Sequence, residues 1–134
     1  MLERNWIEGE RDGVPFAYTR PSPGRYPWQW YWDSCFAAIV WRRFEPARAR
    51  TELESLLAAQ RADGFIGHTV FWDRRVSPLR SLFYNAASRG AEQTETIQPP
   101  LLAWAWRIAV GDPGEEPRIA AQADRLAADR VATL

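Results

Sequence analysis

Apolar positions in this chain fall into helical spacing over four stretches, and the segments between them carry no such period. Trp32, Phe36, Ile39, Val40 and Phe44 recur every three to four residues, which predicts one apolar stripe on a helix with Asp33 or Ser34 as its cap. Pro46 suits the first turn of a second helix. There Leu53, Leu56 and Leu57 form the inward stripe, Arg48, Arg50, Glu52 and Arg61 are expected outside, and Asp63-Gly64 ends it in a left-handed cap. Gln98-Pro99-Pro100 opens a third helix bearing Leu101, Leu102, Trp104, Ala105 and Ile108, since prolines belong only at its start. After the turn Gly111-Asp112-Pro113-Gly114, a last helix is expected from about Glu116 to Leu134, with Ile119, Ala123, Leu126 and Ala127 inward.

Residues 1–25 are interrupted by Gly9, Gly13, Pro15, Pro21, Pro23 and Gly24 and read as irregular, with a short extended stretch at Val14–Thr19. Residues 65–72 are apolar and extended, with Gly67 allowing close backbone approach. Residues 73–96 are polar and aperiodic apart from one turn at Leu79–Tyr84. A loop of this length in a compact domain is usually a functional lid or a disordered segment. With no strand-turn-strand rhythm, the expected fold class is all-α: two helical hairpins joined by a long loop.

Composition narrows the function. At 134 residues, 46% hydrophobic and 25% charged, the chain is an ordinary globular domain. Seventeen basic and seventeen acidic residues cancel, so no nucleic-acid or anionic-membrane partner is expected. Every basic residue is Arg, which favours planar, bidentate ion pairs. The single cysteine, Cys35, rules out an internal disulfide and reads as a small buried thiol. The single histidine, His68, cannot make a His-rich metal site, and neither a metal nor a cofactor is expected. The N-terminus Met1-Leu2-Glu3-Arg4-Asn5 lacks an apolar signal core, and no apolar run approaches a membrane span. The expected location is cytoplasmic.

The densest chemistry lies in Tyr26-Pro27-Trp28-Gln29-Trp30-Tyr31-Trp32-Asp33, where three Trp, two Tyr and one carboxylate share eight residues. Such rings serve either a core, each burying roughly 150–250 Å², or a sugar site, where ring faces carry the C–H face of a pyranose and a carboxylate holds its hydroxyls. At the level of single residues both uses stay open: Asp33 also suits an N-cap, Trp32 falls on the apolar stripe, His68 suits a structural role, and Gln98 suits a bond to loop backbone. Trp104 and Trp106 are assigned to packing.

Three ordered segments carry a resemblance: Tyr26-x-x-Gln29-Trp30-Tyr31-Trp32-Asp33-Ser34; Leu56-Leu57-x-x-Gln60-x-x-Asp63-Gly64-Phe65-Ile66-Gly67-His68; and Thr96-Ile97-Gln98-Pro99-Pro100. Together they resemble the N-terminal part of glycoside hydrolase family 63, on the side of its bacterial mannosylglycerate and glucosylglycerate hydrolases, over residues 15–134. A near-relative pattern has Pro where this chain has Gly67. The resemblance implies the first helical hairpins of an (α/α)6 barrel. It also implies a −1 sugar pocket lined by Tyr26, Trp30, Trp32, Asp33, His68 and Gln98, with a small-molecule glycoside as partner. The stretch 73–96 would be an active-site lid, with Arg74, Arg75 or Arg80 able to meet an anionic aglycone such as glycerate.

In that family the general acid Asp and the base Glu of an inverting mechanism lie on later segments, so no catalytic residue is expected within residues 1–134. Twelve helices of about 11–12 residues with short loops need on the order of 200 residues. The chain is therefore expected to be a single N-terminal portion of a catalytic domain, inactive alone and prone to self-association through uncovered barrel faces. The alternatives are a non-catalytic helical module that binds sugars or partners, or part of another (α/α)6 enzyme such as a trehalase, a debranching enzyme or a sugar epimerase.

Overall fold

The computed structural model describes residues 1–72 and 92–111. A single turn, α1 (Leu2–Asn5), leads into strands β1 (Trp6–Arg11) and β2 (Val14–Thr19). Strand β3 (Gln29–Trp30) runs directly into helix α2 (Tyr31–Trp41), followed by α3 (Pro46–Ala58), strand β4 (Thr69–Val70) and helix α4 (Leu102–Ala109). The expected last helix, the turn at Leu79–Tyr84 and the candidate aglycone residues Arg74, Arg75 and Arg80 lie outside the described residues.

The all-α expectation, and with it the reading as bare hairpins of an (α/α)6 barrel, is overturned. Of the described residues about 39% are helical and 21% are strand. The strands make two small antiparallel sheets, β1–β2 and β3–β4. The first is a hairpin with Trp6 opposite Thr19 and Arg11 opposite Val14. Its turn is Asp12-Gly13, both at positive φ (53° and 79°), the mirror-image turn whose twist matches paired strands and which Asp-Gly favours. That dipeptide was present in the sequence, but Gly9 and Pro15 within the flanking runs masked the alternation. Both are tolerated because a two-stranded ribbon has only edges.

Helix α3 closes one of those edges. Ser55 Oγ takes the Ala17 N–H at 2.9 Å, and the Glu52 carboxylate takes the Thr19 N–H at 2.8 and 3.0 Å. Two side chains one helical turn apart thus occupy the outward N–H groups of alternate strand residues, where a third strand would otherwise bind. Glu52, expected outside, is therefore completely buried.

The stripe expected on the first long helix is corrected as well. Helix α2 buries Tyr31, Ser34, Cys35, Ala38 and Trp41, whereas Trp32, Phe36, Val40 and Phe44 are exposed. The helix is apolar on nearly every side, so spacing alone allows more than one face. The buried face is the one whose small residues let α3 and α4 approach. Leu53, Leu56, Leu57, Leu102, Ala105 and Trp106 meet it in a single core, with Cys35 at its centre as a buried thiol. Trp104 is exposed and touches Phe36 edge-on at 6.3 Å. Among the described residues no helix is long and apolar enough to cross a membrane.

Candidate functional site

The octapeptide divides its rings between core and surface. Trp28 and Tyr31 are buried, Trp28 against the edge of Phe71 at 5.2 Å. Tyr26 and Trp30 are half-buried and Trp32 is exposed. Chain geometry causes the division: β3 alternates its side chains, so Gln29 points inward and Trp30 to the other face, and the helix then begins at Tyr31.

His68 reaches this corner through β-pairing. Trp30 pairs with Thr69, and the Tyr31 N–H bonds the His68 carbonyl at 2.9 Å. The His68 ring lies 5.3 Å from Trp30, which meets Tyr26 edge-on at 5.4 Å. Tyr26, Trp30 and His68 thus form one continuous wall. The Thr96 and Thr94 hydroxyls lie 2.6 and 2.9 Å from His68 Nδ1, with the Thr96 carbonyl at 3.3 Å. Burial holds the imidazole below its ordinary pKa, partly offset by the Thr96 carbonyl, so it is neutral at pH 7. With Nδ1 occupied by the threonines, Nε2 is the ring atom left for a ligand.

Gln98 arrives from the segment before α4. Its Oε1 accepts the Trp32 N–H at 2.7 Å, satisfying one of the open N–H groups at the start of α2. Its amide nitrogen retains donor capacity. Asp33 is in the first turn of α2, whose N-cap residue, Trp30, makes no side-chain capping bond. Burial raises its carboxyl pKa, offset in part by its own N–H and the Trp32 side chain. A half-buried carboxylate beside indoles, at a helix N-terminus that favours negative charge, suits accepting sugar hydroxyls.

Of the residues singled out in the sequence, Tyr26, Trp30 and His68 touch in series. Trp32 and Gln98 are bonded to each other, and Asp33 joins through Trp32. Sequence reasoning missed the supports. Thr94 and Thr96 orient His68, and Gln93 Oε1 takes the Gly67 N–H at 2.6 Å. These fall in or next to the stretch read as a lid, yet Gln93 and Thr94 are buried and Thr94 N–H bonds the Thr69 carbonyl. The signal was Gly67: a Cβ there would sit 2.9 Å from Thr94 N, so only glycine lets the strand of His68 pass this close. Gly67→Ala is expected to cost about 1–3 kcal/mol through overpacking, read as a lower midpoint in chemical denaturation. Among the described residues no cluster of three or more His, Cys, Asp and Glu side chains could hold a metal.

Aromatic faces, a carboxylate and a neutral imidazole at one corner are chemistry suited to carbohydrate, the ligand of glycoside hydrolases. The family described as "Mannosylglycerate hydrolase MGH1-like glycoside hydrolase domain" matches residues 26–130, and the chain belongs to it. Mannosylglycerate hydrolase MGH2 of Selaginella moellendorffii is 34% identical over 92 residues, 65% of this chain and 18% of that protein. The mannosylglycerate hydrolase of Rubrobacter radiotolerans is 42% identical over 71 residues, 53% of this chain and 14% of that protein. The crystal structure of the GH63 mannosylglycerate hydrolase from Thermus thermophilus in complex with Tris and D-glycerate superposes with a TM-score of 0.63 at 31% identity. That match covers 93% of this chain and 28% of that one. The chain thus spans about a fifth or less of the length of the two curated relatives.

Proposed function

We propose that Tyr26, Trp30, Trp32, Asp33, His68 and Gln98 form one side of a −1 sugar pocket for a small glycoside of the mannosylglycerate or glucosylglycerate type. The chain would act as the N-terminal portion of a glycosidase catalytic domain. The continuous wall of Tyr26, Trp30 and His68 carries this reading most strongly. The ring faces would hold the pyranose and exclude water, strengthening the polar contacts behind it. Asp33 would accept two hydroxyl protons, His68 Nε2 a third, and Gln98 would donate to a ring hydroxyl.

Inverting hydrolysis needs two carboxyl groups about 6.5–9.5 Å apart across the scissile bond. Glu52, joined to the corner through Ser34, is sealed inside and cannot flank a substrate. The acid and the base are therefore assigned to residues other than those at this corner, and the 134-residue chain binds without cleaving. Calorimetric titration with mannosylglycerate, glucosylglycerate and D-glycerate tests this, together with product analysis after long incubation. Saturable heat for either glycoside without released sugar is expected. No binding of either glycoside overturns the pocket, and turnover overturns the assignment of catalysis elsewhere.

The exposed row Phe36, Val40 and Phe44, continued by Trp104, exceeds what scattered surface residues need. A second copy of the chain would cover it. Sedimentation should show concentration-dependent association, and Phe44→Glu should shift the chain toward monomer.

A further inference from the structure

Glu52 is a buried carboxylate, and among the described residues no arginine is ion-paired to it. Its partners are all neutral. Oε2 accepts the Thr19 hydroxyl at 2.7 Å, Oε1 accepts the Ser34 hydroxyl at 2.6 Å, and both receive the Thr19 N–H. From each oxygen the bonding continues to an indole. Trp41 Nε1 donates to Thr19 Oγ1 at 2.8 Å. On the other side, Gln29 Nε2 donates to Ser34 Oγ at 3.2 Å and to the Glu52 carbonyl at 3.0 Å, while Trp72 Nε1 donates to Gln29 Oε1 at 2.7 Å. The run Trp41–Thr19–Glu52–Ser34–Gln29–Trp72 therefore passes directly beneath the β3–α2 corner, because Gln29 precedes Trp30 and Ser34 follows Asp33.

The direction of these bonds depends on one proton. As a carboxylate, Glu52 accepts from both hydroxyls, and Ser34 Oγ is left to accept from Gln29. As an acid, Glu52 must donate to one of those hydroxyls, which then has to turn its own proton away from the carboxyl. If that hydroxyl is Ser34, its proton competes with the Gln29 amide, and in a buried network each bond is strong and each unmade one costly. We propose that Glu52 is a positioning residue for the sugar corner, and that gain or loss of its proton resets the backbone from Trp30 to Asp33. The link to sugar rests on the pocket proposed above, but the corner's response to the proton does not.

The groups around the carboxyl allow this change near neutral pH. Burial pushes Glu52 up to about 7, opposed by Ser34 and Thr19 and assisted by the like charge of Asp33 on α2. Cys35, also on α2, is raised by burial and by the nearby Glu52 and Asp33 charges, so it stays a neutral thiol. From β2 the facing residue is Thr19, which carries no charge.

The test is an NMR titration of the 134-residue chain from pH 5 to pH 9. The indole N–H signals of Trp41 and Trp72 and the backbone amides of Trp30 to Asp33 are expected to shift with one common midpoint near 7. In Glu52→Gln that shared transition should vanish, while transitions due to Asp33 and His68 persist in both proteins. Should that variant fail to fold, Ser34→Ala cuts the run on one side. It should release Trp72 and the corner amides from the transition and leave Trp41 on it. Corner amides that do not move with the indoles, or a transition that survives in Glu52→Gln, overturn the proposal. Mannosylglycerate affinity, measured in parallel, should change across the same interval about tenfold more in the unaltered chain than in Glu52→Gln, where only Asp33 and His68 contribute. A shared transition in a chain that binds no glycoside at any pH overturns the pocket and leaves the Glu52 assignment supported. The same pH dependence of affinity in the unaltered chain and in Glu52→Gln overturns the link between Glu52 and the sugar.

Discussion

Asp33→Asn is expected to lower the affinity of the chain for mannosylglycerate by about 10–100-fold at pH 7. The substitution keeps shape and removes charge. Hydrogen bonds to a charged group contribute roughly 1.5–3 kcal/mol, and about 1.4 kcal/mol is a factor of ten. Loss of a favourable charge in the first turn of α2 costs a further 0.3–1 kcal/mol of stability, roughly, too little to unfold the corner. In the proposed pocket the same residue would set the acid limit of binding. Burial raises its pKa, so its charge is lost at a higher pH than for an ordinary aspartate, and affinity should fall on acidification. His68 adds to that fall in one direction only: its lowered pKa keeps it neutral to a lower pH than an ordinary imidazole. Titration calorimetry of both proteins over pH 4–8 measures this. Equal affinities at pH 7 would mean that Asp33 serves the helix and not the sugar.

The positions that carry such predictions were legible in the sequence because chemistry concentrates by residue type. Rings, one carboxylate, the sole histidine and a Gln-Pro-Pro helix start are visible in a string of letters, and the chain order 26–33, 68 and 98 survives into space. What joins them was not legible. The pairing of β3 with β4 rests on only two residues in each strand, too few to show any period. The hairpin at 6–19 was hidden by Gly9 and Pro15, which a two-stranded ribbon tolerates. Helix α2 is apolar all round, so the tertiary partners alone decide that Cys35 and Ala38 face inward and Phe36 and Phe44 outward. Glu52 shows the limit of charge as a guide. Four positions from Arg48 and two from Arg50, it reads as part of a solvated face. It lies inside because an edge strand needed an acceptor where Thr19 presents its N–H. A polar residue recruited for a backbone need cannot be found by counting hydrophobic positions.

That buried carboxyl also sets an unusual pH dependence of stability. An ordinary paired carboxylate stabilises a protein at neutral pH and loses its effect in acid. Glu52 runs the other way, because burial raises it from 4.5 in an unfolded chain to about 7 in the folded one. Between those values the folded chain holds a proton that the unfolded chain releases, so stability falls as pH rises. The contribution is complete below about 4.5 and gone above about 7, and the gap amounts to on the order of 3 kcal/mol. Urea denaturation at intervals from pH 4 to pH 9 measures it. Other groups titrate in the same range, so the informative quantity is the difference between the chain and Glu52→Gln. An amide can accept from the Thr19 N–H and donate to a hydroxyl, as the protonated acid does, and carries no charge at any pH. The difference should be flat below pH 4.5 and above pH 7 and should slope between them, with Glu52→Gln relatively more stable on the alkaline side. Glu52→Ala should be worse than both at every pH, by about 3–5 kcal/mol, because it leaves a cavity and strands the Thr19 and Ser34 donors without an acceptor. A level difference curve would mean that the fold stabilises the ionised carboxylate fully through its three donors, and that burial adds no net bias toward the acid.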